Sequence, residues 1–376
     1  MADPPRKGGR AVTLLKPREV ALDGNPPPKH WGYLPSRAVN RTALLAAAVV
    51  LLFFASVLLG SYTVTIPDFF TIVVNHLGGG AKIPGASFIV MENKLPRAVT
   101  GTMIGIAFGL AGALFQTMLR NPLASPDVIG ISSGASAAAV TAIVIFGASG
   151  AVVSAAALVG ALAVAALIYG ISSGGASRGT GRGNAAGNRL VLAGIGIAAA
   201  LHAVVSFLMT RADIRTAADV LVWLNGSLNS ANWDRAGVLF LALVVLVPAA
   251  AVIAGPLRIL ELGHDAAAGL GVRVNAARLA LVLIAVALAA VATAAAGPVS
   301  FVAFLAGPIA RRFAGKASLP ASALVGALIV LAADYAAANL APLFLDGTVL
   351  PVGVVTGALG APFLLWLLAT ASRKDA

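Results

Sequence analysis

The side chains able to do chemistry are few, and their spacing argues against an enzyme. The four histidines, His30, His76, His202 and His264, are scattered without the spacing of a metal site. No cysteine is present, so disulfides and thiol chemistry are excluded. No Ser/His/Asp or Cys/His set is visible. Two stretches imitate nucleotide sites and fail on context. Gly194-Ile195-Gly196-Ile197-Ala198-Ala199 has the outline of a dinucleotide fingerprint but lies inside an apolar helical run with no strand before it. Ala310 to Ser318 resembles a phosphate loop, yet Ala310 stands where the first Gly belongs and Ala317 where Ser or Thr must follow the lysine. No phosphate cradle, metal or cofactor is expected on this chain. If ATP powers it, the nucleotide and its magnesium sit on another subunit.

The elements that must hold these residues are membrane helices. Of the 376 residues, 59% are hydrophobic and 11% charged, against about 25% charged in an ordinary soluble domain. Apolar segments recur at about 42–61, 97–118, 131–148, 150–171, 190–209, 233–254, 278–297, 299–313, 320–341 and 352–371. Most are long enough to cross a hydrocarbon core of roughly 30 Å; the segment at 299–313 is short for a full span. The fold class is therefore all-α and polytopic, with about ten transmembrane helices. The first segment begins too late for a cleavable signal and reads as a retained helix. Residues 1–40, rich in Pro, Lys and Arg, read as a disordered cytoplasmic tail before a membrane domain over 41–372.

The net charge of +12 would suit nucleic acid, but the charges sit between apolar segments. With ten spans and the N-terminus inside, twenty of the 26 basic residues fall on the inner side. Six fall outside: Lys82, Lys94, Arg97, Arg211, Arg215 and Arg235. That bias gives an N-in, C-in topology. Outside, Thr65-Ile66-Pro67-Asp68 reads as a proline-led helix start, and Ala217 to Leu224 as a second surface helix. Inside, residues 172–188 are flexible by composition. The inner loop 256–277 alternates small apolar and charged residues at helical spacing; docking into a partner's groove and lying on lipid are both open for it.

The run Leu95 to Ser136 carries the most information. Gly101, Gly105 and Gly109 share one helix face, with Gly112 nearby, and small residues so spaced let helices approach closely. The helix then breaks at Arg120-Asn121-Pro122 before a second apolar segment. Interrupted backbone is tolerated in a bilayer only where it is buried in protein or lines a wet cavity, so the break points to a translocation path. Asp334 is the one acid deep in a predicted span. Such residues face the protein interior; proton coupling is one role for it, and a structural hydrogen bond to a helix end is the favoured one. His202 is read as a packing or pore-lining residue.

Several ordered motifs resemble the FecCD-type permeases of bacterial ABC importers. They are Lys94-Leu95-Pro96-Arg97, the glycine-rich helix with Gly112 and Gln116, and Arg120-Asn121-Pro122-Leu123-Ala124 with Pro126. Gly130-x-Ser-Ser-Gly134, Leu262-Gly263 to Leu270-Gly271-Val272, and Ala296-Gly297-Pro298-Val299-Ser300-Phe301-Val302 follow. Leu350 to Gly357 and Gly360-Ala361-Pro362-Phe363 close a resemblance that covers about residues 42–372.

The resemblance implies a ten-helix, inverted-repeat permease that dimerises around a central path, with two ATPase subunits below and a binding protein above. Glu261, Leu262, Gly263, His264, Asp265, Ala266, Gly269, Leu270 and Gly271 would then be coupling helices in the ATPase cleft. Lys94 and Arg97 would meet acidic residues of the binding protein, Gly187 and Asn188 would mark the cytoplasmic gate just before the fifth span, and Gln116, Asn121 and Pro122 would belong to the packing and pore region. Lys94 replaces the more usual arginine, Ala306-Gly307-Pro308 stands where many members have Ala-Pro-His, and a basic residue common near Ala338 is missing. The wording of Ser300 to Phe304 is closer to subunits paired with a non-identical partner in ferric siderophore importers. The expected function is ferric-siderophore import at the cytoplasmic membrane; a haem or cobalamin importer and an ion-coupled secondary transporter using Asp334 and His202 are the alternatives.

Overall fold

The computed structural model describes residues 36–60, 62–80, 83–127, 129–173, 183–260, 264–315 and 317–371. The tail expectation for 1–40, and Glu261, Leu262 and Gly263 of the coupling segment, fall wholly or largely outside these residues. Among the described residues there are helices and no strands. In order they are α1 (Ser36–Leu58), α2 (Ile66–Leu77), α3 (Ala86–Phe88), α4 (Leu95–Leu119), α5 (Ile131–Phe146), α6 (Ala151–Ser173), α7 (Gly183–Met209) and α8 (Ile214–Leu224). Then come α9 (Trp233–Leu260), α10 (His264–Gly269), α11 (Val274–Ala296), α12 (Val302–Ala314), α13 (Leu319–Tyr335), α14 (Ala341–Phe344) and α15 (Val352–Ala371). A π-helical stretch, Ile89–Lys94, leads into α4, and another, Ala336–Leu340, continues α13.

Each apolar segment read from the sequence coincides with a helix, but not all are equal. Among the described residues seven helical stretches are long and apolar enough to cross a membrane. The 13 residues of α12 and the 16 of α5 reach only about 20 and 24 Å at 1.5 Å per residue. α12, the predicted eighth segment, is thus a half-length helix; a Cβ on Gly112 would overlap the carbonyl of Ala303, so α12 begins beside α4, well inside that helix.

Burial sorts the helices into inner and outer sets. Buried residues make up 78% of the most apolar stretch of Ala86–Leu119 but 17% of those of Arg41–Leu58 and Val191–Met209. α4 is the hub, packed along α13, α11, α12 and α9, while α5 packs on α6 and α7. The outer helices also expose apolar side chains, such as Leu51, Leu192 and Phe207, the pattern of a helix whose free face meets lipid and not water.

α4 and α13 run antiparallel in steps of four residues. Arg97 pairs with Asp334, Gly101 faces Val330 and Leu331, Gly105 faces Gly326 and Ala327, and Gly109 faces Ser322. A Cβ on Gly105 would stand 2.5 Å from the Ala327 Cα. At Gly105 and Gly109 the predicted small-residue face is therefore backbone against backbone, with Gly326 as the counterpart on α13, while Gly101 meets the side chains of Leu228, Val330 and Leu331.

The two short helices expected on the outer surface, α2 and α8, begin where local chemistry starts them. Thr65 caps α2 by accepting from the Asp68 amide at 3.3 Å, with Pro67 in the first turn. Asp213 caps α8, accepting from the amides of Arg215 and Thr216 at 3.0 Å each. α8 therefore starts at Ile214, three residues before the predicted Ala217, because a cap carboxylate satisfies the first free amides.

Candidate functional site

The N-terminal end of α4, which the charge bias of the sequence assigns to the outer side, holds two candidate docking cations. Arg97 reaches Asp334 with both ends of its fork, Nε to Oδ2 and Nη2 to Oδ1 at 2.8 Å each, and its Nη1 donates to Asn229 Oδ1 at 2.8 Å. Such bidentate geometry is the strongest arrangement available to a guanidinium and a carboxylate. The acid that sequence reading left between proton coupling and a structural bond is thus an ion-pair partner, and its mate is a side chain, not a helix end. Lys94 Nζ donates to the carbonyls of Leu59 at 2.8 Å and Tyr62 at 2.5 Å. Both cations therefore already hold partners within the chain. The π-helical stretch before α4 also presents the Met91 carbonyl to the Trp233 indole N–H at 2.6 Å.

At the C-terminal end, assigned by the same bias to the inner side, the chain leaves α4 through Arg120, in the left-handed region at φ 51°. The amide of Asn121 bonds back to the Gln116 carbonyl at 3.1 Å. Asn121 Oδ1 accepts from the Leu123 amide at 2.9 Å, so the residue before Pro122 builds its own turn. Arg120 Nη2 donates to the last carbonyl of α9, Leu260, at 2.5 Å; a cation suits a helix C-terminus. The predicted elbow is a real break, built from the local Asn121 bonds and tied to α9 by Arg120.

Beyond the elbow the chain lines a cavity of about 690 Å³. Leu123, Ser125 and Asp127 come from the elbow; Ser132, Ser133 and Ser136 come from the first turns of α5. His202 and Val205 of α7, Leu224 of α8, Pro298, Ser300 and Phe301 before α12, Phe304 of α12 and Leu364 of α15 close the wall. Ser132 Oγ donates to Asp127 Oδ1 at 2.5 Å. Phe301 and Phe304 stack edge to face with centroids 6.2 Å apart. The cavity combines a serine-rich polar side with an aromatic side. It offers hydrogen bonds and apolar contact, and among the described residues its lining holds one carboxylate, Asp127, and one imidazole, His202.

Sequence reading placed His202 near a pore but identified no polar pocket. Asp127, Ser132, Ser133, Ser136 and Ser300 were missed as a set. The available signal was the polar Ser125-Pro126-Asp127 and Ser132-Ser133 between two apolar runs.

The inner loop folds locally. α10 is closed by Gly271, two residues past its end, at φ 82°, where the Gly271 amide bonds to the Ala268 carbonyl and the Val272 amide to the Ala267 carbonyl, each at 3.0 Å. This paired closure needs a left-handed residue after the helix, and glycine takes it without strain. Ala266 and Gly269 are exposed, Ala267 is buried, and Leu270 leaves 63% of its surface free. His264 and Asp265 open α10. Gly187 and Asn188 fall inside the first turns of α7, which starts at Gly183, and not ahead of the helix. Among the described residues no cluster of three or more His, Cys, Asp or Glu could hold a metal.

Residues 48–370 match the FecCD transport family. The chain is 36% identical over 290 residues to the ferric enterobactin transport system permease protein FepG of Escherichia coli, covering 77% of this chain and 84% of that one. It is 35% identical over 340 residues to the Fe(3+)-citrate import system permease protein YfmE of Bacillus subtilis, covering 89% and 96%. It is 36% identical over 340 residues to the achromobactin transport system permease protein CbrC of Dickeya dadantii, covering 89% and 93%. In structure it is similar to an inward-facing metal-chelate type ABC transporter, with a TM-score of 0.74 at 23% identity over 88% of this chain and 99% of that one. From α1 through most of α15, and by relatives above 30% identity along most of their own length, the chain belongs to the FecCD transport family.

Proposed function

We propose that the chain is the permease subunit of an ATP-driven importer that carries ferric siderophores across the cytoplasmic membrane. The observation that carries this reading is shared substrate chemistry. The relatives named above move ferric enterobactin, ferric citrate and achromobactin, and each matches at least 77% of this chain. A polar-and-aromatic cavity of about 690 Å³ beside the α4 elbow supports it. The two-pronged Arg97–Asp334 bond speaks against an ion-coupled carrier, because the acid such a carrier would protonate is already committed.

In this reading ten crossings place both termini inside, with two related halves of opposite orientation. ATP and magnesium sit on two ATPase subunits, and this chain holds no cofactor. Residues 261–271 enter the ATPase cleft, with exposed Leu270 as the apolar contact. Gly187 and Asn188 mark the gate, and a second, non-identical permease completes the path. A binding protein docks over Lys94 and Arg97, its carboxylates sharing those cations with their present partners. Charged rims of this kind set docking rate and orientation.

The test is uptake of labelled ferric siderophores in a strain lacking the chain, against haem and cobalamin. Uptake of an iron chelate that stops on ATP depletion is expected. Uptake that survives ATP depletion and collapses with the proton gradient would overturn the reading. Because Arg97 also holds Asp334, Lys94→Glu is the cleaner docking test: binding-protein association should weaken in a salt-dependent way, and unchanged affinity removes that role.

A further inference from the structure

One buried amide links the cavity wall to the half-length helix. α12 contains Pro308 in its interior. An α-helix bonds each amide to the carbonyl four residues earlier, and proline has no amide hydrogen. Pro308 therefore leaves the Phe304 carbonyl without its helical partner. Gln116 of α4 supplies one: its Nε2 donates to Phe304 O at 3.0 Å and lies 3.5 Å from Ala303 O. Gly307 makes the space, since a Cβ there would overlap Gln116 Oε1. Two carbonyls on one side of the amide fix which end is nitrogen, because an oxygen turned toward them would be repelled. Gln116 is 1% exposed, and its Oε1 has no partner among the described residues.

The halves of α12 on either side of Pro308 are tied to different things. The first half carries Phe304, with Phe301 just ahead of it, into the cavity wall. The second ends in Arg311 and Arg312, with Arg41 Nη1 donating to Phe313 O at 3.0 Å and Arg312 over the Trp366 ring of α15 at 5.7 Å. A helix's own bonds hold its halves in line cooperatively. A side-chain bond from a neighbouring helix can open without unwinding either one.

We infer that Gln116 is a positioning residue that replaces the helix bond missing at Pro308, holding Phe301 and Phe304 against the cavity while leaving α12 able to bend there during transport. The inference rests on the transport reading for its second half only. The pairing itself is read by stability.

The experiment compares Gln116→Leu, Pro308→Ala and the double variant, each in the assembled full-length transporter, by thermal midpoint and by siderophore uptake. Gln116→Leu strands a buried carbonyl and should lower the midpoint by roughly 2–6 °C. Pro308→Ala restores the helix amide, so its midpoint should equal or exceed wild type, and the double variant should recover what Gln116→Leu lost. Uptake should nevertheless fall in Pro308→Ala and stay low in the double variant. A purely structural proline would not separate the two readouts. A double variant no more stable than Gln116→Leu overturns the pairing, and wild-type uptake in Pro308→Ala overturns the hinge. If the wild-type protein carries no siderophore, the transport reading fails while the midpoint comparison still decides the pairing.

Discussion

The two ends of α4 meet their neighbours through different chemistry. At the outer end a guanidinium and a carboxylate grip each other at two points, with Asn229 as a third contact. At the inner end a neutral amide substitutes for one helix bond, and Arg120 holds the end of α9 through a single donor. The outer pair joins α4 to α13, which it also meets backbone to backbone. Removing either partner strands a charge. The inner amide bond contributes about 1 kcal/mol, close enough to thermal energy to open and reform. One helix therefore has a fixed end and a yielding end. Under the proposed function that contrast has a use, since the end proposed to dock a binding protein would hold its geometry while the other end follows the proposed ATPase.

The largest effect that would test this contrast is expected from Asp334→Ala. Arg97 is left mostly buried without its partner, and stability should fall by about 3 kcal/mol, the lower end of the range for a broken buried pair. Chemical denaturation of the purified protein measures it, and Arg97→Ala/Asp334→Ala together should cost less than Asp334→Ala alone. A double variant as damaged as the single would show that the pair is incidental.

Next comes the middle of the helix. Gly105→Ala places a Cβ 2.5 Å from the Ala327 Cα, and overpacking there should cost about 2 kcal/mol; Gly196→Ala on α7, with open space around it, should be nearly neutral. Equal midpoints for the two variants would mean that α4 and α13 are not in backbone contact.

At the yielding end Arg120→Ala removes a single donor to Leu260 and should cost about 1 kcal/mol, less than the outer pair by a factor of three. An equal cost at both ends would erase the comparison.

The smallest effect lies outside both ends, at the α8 cap. Backbone and hydroxyl bonds from Thr216, then the Arg215 amide, hold the Asp213 carboxyl below its ordinary value. A depressed folded value means that the cap's contribution is present above the unfolded-state value and is lost as pH falls through the folded one. Hydrogen exchange of the α8 amides should therefore lose protection on acidification below about pH 4. Asp213→Asn keeps an acceptor and should abolish that pH dependence.

Legibility followed distance along the chain. The elbow was readable because its turn is built by Asn121, whose amide and side chain bond to Gln116 and Leu123 within a few residues; the Arg120 bond to Leu260, 140 positions away, was not. The α2 start was readable for the same reason. The face of Gly101, Gly105 and Gly109 announced close packing, but its counterpart Gly326 did not announce itself. The gate pair was placed ahead of α7 because residues 183–189 carry no apolar signal, although the helix already includes them. The segment at 299–313 counts as one of the ten spans by its apolar composition, whereas α12 is half-length and leans on α4. The cavity went unseen because its serines, Asp127 and Phe301 come from segments whose spacing obeys no period.

By itself the sequence determined the membrane class, the helical segments, the charge asymmetry and the break after α4. These follow from bilayer thickness, helical period and local turn chemistry, all of which act over tens of residues at most. Only the tertiary structure decided that Arg97 answers Asp334 across 237 positions and Gln116 answers Phe304 across 188. Such bonds depend on which helix lies beside which, and at what depth. That is chosen by the packing of whole helices, where small residues permit contact but do not name the neighbour.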